Sequence, residues 1–459
     1  MEEEPKDKSE EDAIDRHVKR RFEVAQRLGK GAYGIVWKAV EKRTQSVVAL
    51  KKCFDAFRNA TDAQRTFREI MYLQKVAGHE NIIRLQHMIR AENDRDIYLT
   101  FDFMETDLHA VIRANILEAI HKKYIIYQLL KALKFLHSGE LLHRDIKPSN
   151  LLLNSDCHVK LCDFGLCRSV ADLQKENKAV TLTDYVATRW YRAPEVLLGS
   201  PLYTKGVDMW AVGCILGEML TGKPIFAGTS TVNQLEKIIE CTGKPTKDDL
   251  ESVASPYAAT MLDSVQSSQG ADFFAAFQHT ENTEEGEAPP PPRILTETLK
   301  FNPKLRLSAT EALGDAYVSD FHNPKDEPDY PGGPITIAID DNLKLTAKDY
   351  RDNLYKRLAD LKKEARHRDI HNKNNGEKLD PHRKSAKDLH AVNNDPQNSR
   401  QDREGRRGEG DAGRGELVDK TSPPPTTIIK PAAAPPQQQQ PPIDAPPLVE
   451  TTSSNTAAA

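Results

Sequence analysis

Three short motifs between residues 143 and 195 constrain this chain more than anything else in it. His143-Arg-Asp145-Ile-Lys147-Pro-Ser-Asn150 comes first, Asp163-Phe-Gly165 follows, and Ala193-Pro-Glu195 closes the set. Phosphoryl transfer asks little covalent chemistry of a protein; it needs positioning and charge neutralisation. The residue types suit that task. Asp145 can accept the proton of a substrate hydroxyl and Lys147 can steady a γ-phosphate. Asn150 and Asp163 offer the amide and carboxylate oxygens that Mg2+, a hard cation, prefers. Upstream, Gly29-Lys-Gly31-Ala-Tyr-Gly34-Ile-Val36 lies between two strand-like runs. Glycines there let the backbone approach phosphate oxygens with no Cβ in the way. The same spacing opens dinucleotide folds, but there the third glycine enters a helix, whereas IVWKAV reads as a strand. Val48-Ala49-Leu-Lys51 ends the next strand, and Glu69 follows in a helical run, an arrangement that lets a Lys–Glu pair aim the lysine at the α- and β-phosphates. Singly, these are a glycine hairpin, a snorkelling lysine and a solvated helix charge. Chance agreement of all of them with the three later motifs is negligible.

Aromatic residues mark where the globule ends. The last is Tyr355, and the remaining 104 residues contain no Phe, Trp, Tyr, Cys or Met. Such a segment cannot bury enough apolar surface to offset the entropy of ordering. Its far end, SPPPTTIIKPAAAPPQQQQPP, favours polyproline II, which serves as a solvated spacer or as a ligand for SH3 or WW domains. The stretch TENTEEGEAPPPP, 280 to 292, reads as a surface insertion. Up to about Glu105 the runs YGIVWKAV, VVALKKC, IIRLQHMI and DIYLTFDF are strand-like, with one helix over Asp62 to Val76. After Glu105 helical periodicity dominates, in HKKYIIYQLLKALKFLHS and GVDMWAVGCILGEMLTG. Thr346 with Asp349 begins another helix, whose apolar stripe is Tyr350, Leu354, Leu358 and Leu361. The fold class that follows is α+β: a small, mostly antiparallel sheet lobe and a larger helical lobe, with nucleotide in the cleft between them.

Composition excludes several classes. A net charge of -4 is too balanced for a whole-protein nucleic-acid binder, and the basic tail runs interleave Glu and Asp with no aromatics. The longest apolar stretch, Met209 to Leu220, is too short and interrupted to span a bilayer. The acidic start MEEEPKDKSEED has no secretory h-region, and Glu2 is not the glycine of myristoylation. Six cysteines without C-x-x-C spacing suit a reduced cytosolic or nuclear compartment.

The motifs resemble those of a eukaryotic protein kinase over roughly residues 22 to 360. Thr183-Asp-Tyr185 before VATRWYRAPE resembles the activation lip of mitogen-activated protein kinases. Phe103-Met-Glu-Thr-Asp-Leu108 resembles their hinge, and GEMLTGKPIFAGTSTVNQLEKIIECTGKPT their helical insert. The chain is most similar to the atypical extracellular-signal-regulated kinase branch of that family. The resemblance implies a serine/threonine kinase using ATP and Mg2+, with Asp145 and Lys147 catalytic and Asn150 and Asp163 holding metal. ATP would meet Gly29, Gly31, Gly34, Val36, Ala49, Lys51, Glu69, the gatekeeper Phe101 and Met104. Phosphate on Thr183 would be held by Arg68, Arg144 and Arg168. Arg189 and Arg192 would serve phosphorylated Tyr185 and shape a pocket for proline after the phosphoacceptor. Asp326, Glu327 and Asp329 would dock basic partner peptides, with Asn323 and Lys325 diluting their charge. Asp184 replaces the commoner Glu of the lip, which puts recognition by a particular upstream kinase in doubt, and the resembled branch phosphorylates its own lip. The implied organisation is an acidic flexible N-terminus at 1–21, a kinase domain at 22–322 (lobes 22–105 and 106–322), a packed extension at 323–366 and a disordered tail at 367–459. A monomer in the cytoplasm and nucleus is expected, with cilium or centriole association implied by the resemblance alone. A cyclin-dependent type usually lacks the Thr-x-Tyr pair. A pseudokinase scaffold should have lost Lys51, Asp145, Asn150 or Asp163, and none is lost.

Overall fold

Alternation writes the first lobe. In a computed structural model describing residues 14–31, 34–175, 189–265, 273–277, 290–343 and 345–374, five strands form one antiparallel sheet. They are β1 (Phe22–Gly31), β2 (Gly34–Glu41), β3 (Val47–Cys53), β4 (Leu85–Arg90) and β5 (Ile97–Asp102), in the order β1-β2-β3-β5-β4. Every second residue of β2 is buried: Ile35, Trp37 and Ala39 pack with Phe22, Val48, Leu50 and Tyr98. The other face, carrying Val36, Ala49 and Lys51, stays half-open toward the cleft. The expected strand from Ile82 begins only at Leu85. Ile82 and Ile83 are buried instead, and Ile82 bridges Leu161 of the second lobe.

Residues read as flexible in the N-terminal stretch are in part ordered. Helix α1 (Arg16–Arg21) lies against the sheet because Ile14 and Val18 join the core around Phe22. The acidic composition of the first dozen residues hid those two apolar anchors. Helix α2 (Ala60–Lys75) starts two residues before its expected position. Asn59 caps it, its side-chain oxygen accepting from Asp62 N, and Phe67, Ile70, Met71, Tyr72 and Leu73 are buried.

The second lobe is built on two apolar helices. In α4 (Ala119–Ser138), which follows α3 (Leu108–Ala114), Ile125, Ile126, Leu129, Leu133 and Leu136 are buried. The helix Gly206–Thr221 is buried on all sides, Val207 through Met219 included, which places it at the lobe's centre. Short strands then fix the segments that carry the motifs. Leu141–Leu142 pairs with Arg168–Ser169, and Leu151–Leu153 pairs with both Thr106–Asp107 and Val159–Leu161. The loop from His143 to Asn150 hangs between two of these strands, and Asp163 follows a third.

After the second lobe the chain returns to the first. Thr346 Oγ1 accepts from Asp349 N, and Asp349 Oδ2 accepts from Thr346 N and Oγ1, opening the helix Ala347–Asn374. That helix packs on α2 and on the turn before it: the Tyr350 ring lies 5.6 Å from Phe67 of α2 and the Tyr355 ring 5.9 Å from Phe57 of the turn. Tyr350 and Leu354 are buried and Leu358 packs against the core. No helix among the described residues is long and apolar enough to cross a membrane. Residues 367–374, expected to begin the disordered tail, instead continue the C-terminal helix to Asn374. The acidic start, most of the 280–292 insertion, Thr183, Tyr185, the Leu361 side chain and the rest of the tail from 375 lie outside the described residues.

Candidate active site

The glycine run behaves as a hairpin with two different kinds of glycine. Gly29 pairs with Val36 and Gly31 with Gly34 across the β1–β2 turn. A Cβ on Gly29 or Gly31 would meet nothing within 4 Å, so these two leave the space a ligand needs. Gly34 is structural: at φ +155°, its Cβ would fall 2.1 Å from Lys52 O of the neighbouring strand. Behind the hairpin Val36 pairs with Lys51, and Ala49 pairs with Phe101. Phe101 and Met104 are both buried at the end of β5 and the crossing between lobes.

Lys51 Nζ donates to Glu69 Oε1 at 3.0 Å, so the pair expected from spacing is closed. Burial alone would lower the lysine's pKa; Glu69 first, then Cys53 and Asp163, outweigh it and push it above its ordinary value. The ammonium is therefore a fixed cation at any ordinary pH.

In the catalytic loop, Asp145 Oδ2 accepts from Lys147 Nζ at 2.7 Å and from Asn150 Nδ2 at 3.2 Å. Asn150 Nδ2 also donates to Asp145 O at 2.8 Å. With its nitrogen committed, the Asn150 amide keeps its oxygen for a cation. Asp163 sits in the left-handed region at φ +63°, its carboxylate accepting from Gly165 N at 3.4 Å and from Arg65 Nη2 at 3.4 Å. Burial would raise its pKa, but Arg65, Lys51, Lys147 and His143 together hold it below the usual carboxylate range. A carboxylate kept ionised beside an amide oxygen is the donor set that Mg2+ takes, and a fixed ammonium beside an open glycine turn suits a polyphosphate. The residues fit both groups.

The loop's shape is held from below by Asp208, which the sequence reading missed. It accepts from His143 N at 2.9 Å, Arg144 N at 2.8 Å and His137 Nε2 at 2.9 Å, and these donors outweigh burial to keep it ionised. That grip sustains Arg144 at φ +68°, a conformation costing on the order of 1–3 kcal/mol. His143 Nδ1 accepts from Asp145 N at 3.3 Å, which leaves Nε2–H to donate to Cys162 O at 3.1 Å. The imidazole thus ties the Asp145 loop to the residue before Asp163. Glu195 is also held by a residue with no motif: Arg306, at 2.7 Å to each carboxylate oxygen.

The five arginines assigned to the lip are spread out. Arg68 and Arg168 meet on a single carboxylate, Asp341. Arg144 donates to Leu166 O and lies over the Tyr203 ring. Arg189 donates to Thr229 O, and Arg192 is half-buried nearby. Thr183 and Tyr185 lie outside the described residues. Of the docking carboxylates, Glu327 turns inward, 3% exposed, where it accepts from His322 Nδ1 and Asn323 N. Asp326 and Asp329 remain outside, Asp329 facing Lys134 at 3.8 Å. Outward charge on this segment is thus two carboxylates and not three.

The family model described as "Protein kinase domain" matches residues 22–318. The chain is 57% identical over 354 residues to Extracellular signal-regulated kinase 2 of Dictyostelium discoideum, covering 77% of this chain and 94% of that one. It is 52% identical over 355 residues to Mitogen-activated protein kinase 15 of Xenopus laevis, covering 76% of this chain but 58% of that protein. With Mitogen-activated protein kinase 15 of Caenorhabditis elegans it shares 48% over 359 residues, 76% of this chain and 74% of the other. It therefore spans nearly all of the first relative and less than two thirds of the second.

Proposed function

Because this chain belongs to the protein kinase family and, within it, to the mitogen-activated protein kinases, we propose that it transfers the γ-phosphate of ATP to Ser or Thr followed by Pro and switches itself on. It is a serine/threonine protein kinase. The observation that carries the mechanism is the closed Lys51–Glu69 pair facing Asp163 and the Asp145–Lys147–Asn150 network. Lys51 orients the α- and β-phosphates, and Asn150 and Asp163 would hold Mg2+, which would neutralise phosphate charge there. Asp145 accepts the proton of the substrate hydroxyl as its oxygen bonds to the γ-phosphorus and the bond to the ADP oxygen breaks. Lys147, 2.7 Å from Asp145, steadies the transferring phosphoryl group.

Regulation then falls on Thr183 and Tyr185. Phosphate there brings roughly -1.5 to -2 charge each and needs the arginines on α2, in the catalytic loop and after Gly165. Arg189 and Arg192 set the preference for proline after the acceptor. The two outward docking carboxylates, diluted by Lys325, make a weak dock for an upstream kinase, which favours self-phosphorylation. The proline-rich tail recruits SH3 or WW domains, and the kinase works as a monomer in cytoplasm and nucleus, with a pool at cilia. Protein made in bacteria, which supply no upstream activator, tests the switch. Phosphate mapped by mass spectrometry on Thr183 and Tyr185 in the wild type, and on neither in Asp145→Asn, is expected. Phosphate absent from both proteins would mean that an activator is required.

A further inference from the structure

The cationic pocket assigned to a lip phosphate already contains an anion from the protein's own chain. Asp341, in the segment that leads into the C-terminal helix, is buried with its carboxylate on two guanidinium groups. Arg68 Nε reaches both oxygens, at 3.1 and 2.9 Å, and Arg68 Nη2 reaches Oδ1 at 2.9 Å. Arg168 Nη1 lies 2.8 Å from Oδ2. These are charge-assisted contacts, two of them from one fork, at side chains that are 1%, 8% and 13% exposed.

The carboxylate is delivered by a strap with its own anchors. Gln64 Nε2 donates to Asp341 O at 2.7 Å, Asn342 Nδ2 donates to Asp172 O at 3.2 Å, and Tyr350 Oη donates to Leu343 O at 2.8 Å. What the carboxylate joins is equally defined. Arg68 precedes Glu69 on α2, and Arg68 Nη1 donates to Gly165 O at 3.0 Å. Arg168 lies in the strand that pairs with Leu142, the residue before His143. One anion thus fixes the helix that carries Glu69 to the segment after Asp163 and to the root of the catalytic loop.

We infer that Asp341 is a positioning residue that takes the place of a lip phosphate at Arg68 and Arg168, holding Glu69 on Lys51 and giving the kinase basal turnover before its lip is phosphorylated. The inference rests on the kinase reading and goes beyond it, and it does not require self-phosphorylation. Without an anion the two buried guanidinium groups would repel each other, and α2 would be free to withdraw Glu69 from Lys51. Phosphothreonine at 183, with more charge and three acceptor oxygens, would supply the same function and make Asp341 less necessary.

The test uses the full chain in two lip states, both carrying Tyr185→Phe. One has Thr183→Ala; the other has phosphothreonine installed at 183 by genetic code expansion, so lip phosphate does not depend on the enzyme. In the first state Asp341→Asn is expected to lower kcat toward a Ser-Pro peptide at least tenfold and to raise the KM for ATP. Asp341→Glu, which keeps the charge, should recover more activity than Asn. In the phosphothreonine state the same Asn substitution should cost less than twofold. Equal losses in both states, whether or not the fold survives, would make Asp341 merely structural and overturn the inference. So would an unchanged or increased rate in the unphosphorylated state, or a Glu variant no better than Asn. Transfer absent even from the phosphothreonine protein with Asp341 intact would instead refute the kinase reading beneath it.

Discussion

Arg306→Leu is the sharpest stability test the structure offers. Arg306 and Glu195 are 0% and 1% exposed, and the guanidinium spans the carboxylate with two 2.7 Å contacts. The same guanidinium donates to Lys300 O and Gly206 O at 2.8 Å and to Phe301 O at 3.0 Å, and lies 5.0 Å over the Trp210 ring. Removing it strands a buried carboxylate and takes a donor from three backbone carbonyls. Breaking one side of a buried pair typically costs about 3–5 kcal/mol, most of it the unpaired charge left behind. Urea unfolding followed by tryptophan fluorescence, with Trp210 beside the lesion, measures it. The double variant Glu195→Leu/Arg306→Met removes both charges and should recover roughly half the loss, because the orphaned carbonyls remain. A single-variant cost below about 1 kcal/mol, or a double variant no more stable than the single, would show that the charge pair is not what holds this junction.

The remaining predictions concern pH, pocket shape, metal and turn geometry. His79 is buried beside Phe135, with Nδ1 accepting from Asn81 N, and burial first, then Lys131 and Lys160, push its pKa down to about 3 from 6.5. The unfolded chain therefore binds the proton first as pH falls, so wild-type stability should be full above about pH 6.5 and fall toward pH 3. His79→Gln should flatten that fall by up to about 1.4 kcal/mol per pH unit in denaturation series between those limits, and an unchanged slope would count against the assignment. Phe101→Ala should open the space behind the adenine, so that ATP analogues enlarged at N6 become substrates in a competition assay, while wild type rejects them. Chelating divalent metal with EDTA should abolish transfer, and Asp163→Asn should leave it negligible even at high Mg2+. Gly34→Ala should destabilise the first lobe, since its Cβ would fall 2.1 Å from Lys52 O, whereas Gly29→Ala, with open space around it, should chiefly raise the KM for ATP.

What was legible in the sequence was local. The catalytic and metal positions fall in two short motifs between residues 143 and 165, and strand β2 announces its buried face by period. What was missed are single charges whose partners are far along the chain. Asp208 grips backbone 64 and 65 residues away, Arg306 meets Glu195 at 111, and Asp341 meets Arg68 at 273. The second aspartate of IAIDDNLKL looks like any solvated charge until the fold brings two buried guanidinium groups to it. The start of α1 was hidden for a related reason: Ile14 and Val18 are two isolated apolar residues in a densely charged stretch, and most of the sheet surface that receives them comes from strands later in the chain. Glu327 shows the reverse error, a carboxylate grouped by sequence with outward neighbours and turned inward by His322 and Asn323.

The central claim is that the cleft between Lys51 and Asp163 transfers phosphate with Asp145 as the proton acceptor. The most direct measurement is steady-state transfer from radiolabelled ATP to a Ser-Pro peptide and to its Ser-Ala counterpart, by wild type and Asp145→Asn. Label on the Ser-Pro peptide, at least tenfold less on Ser-Ala, and a loss of two to four orders of magnitude in Asp145→Asn are expected. Comparable transfer by Asp145→Asn, with the variant folded, would contradict the account.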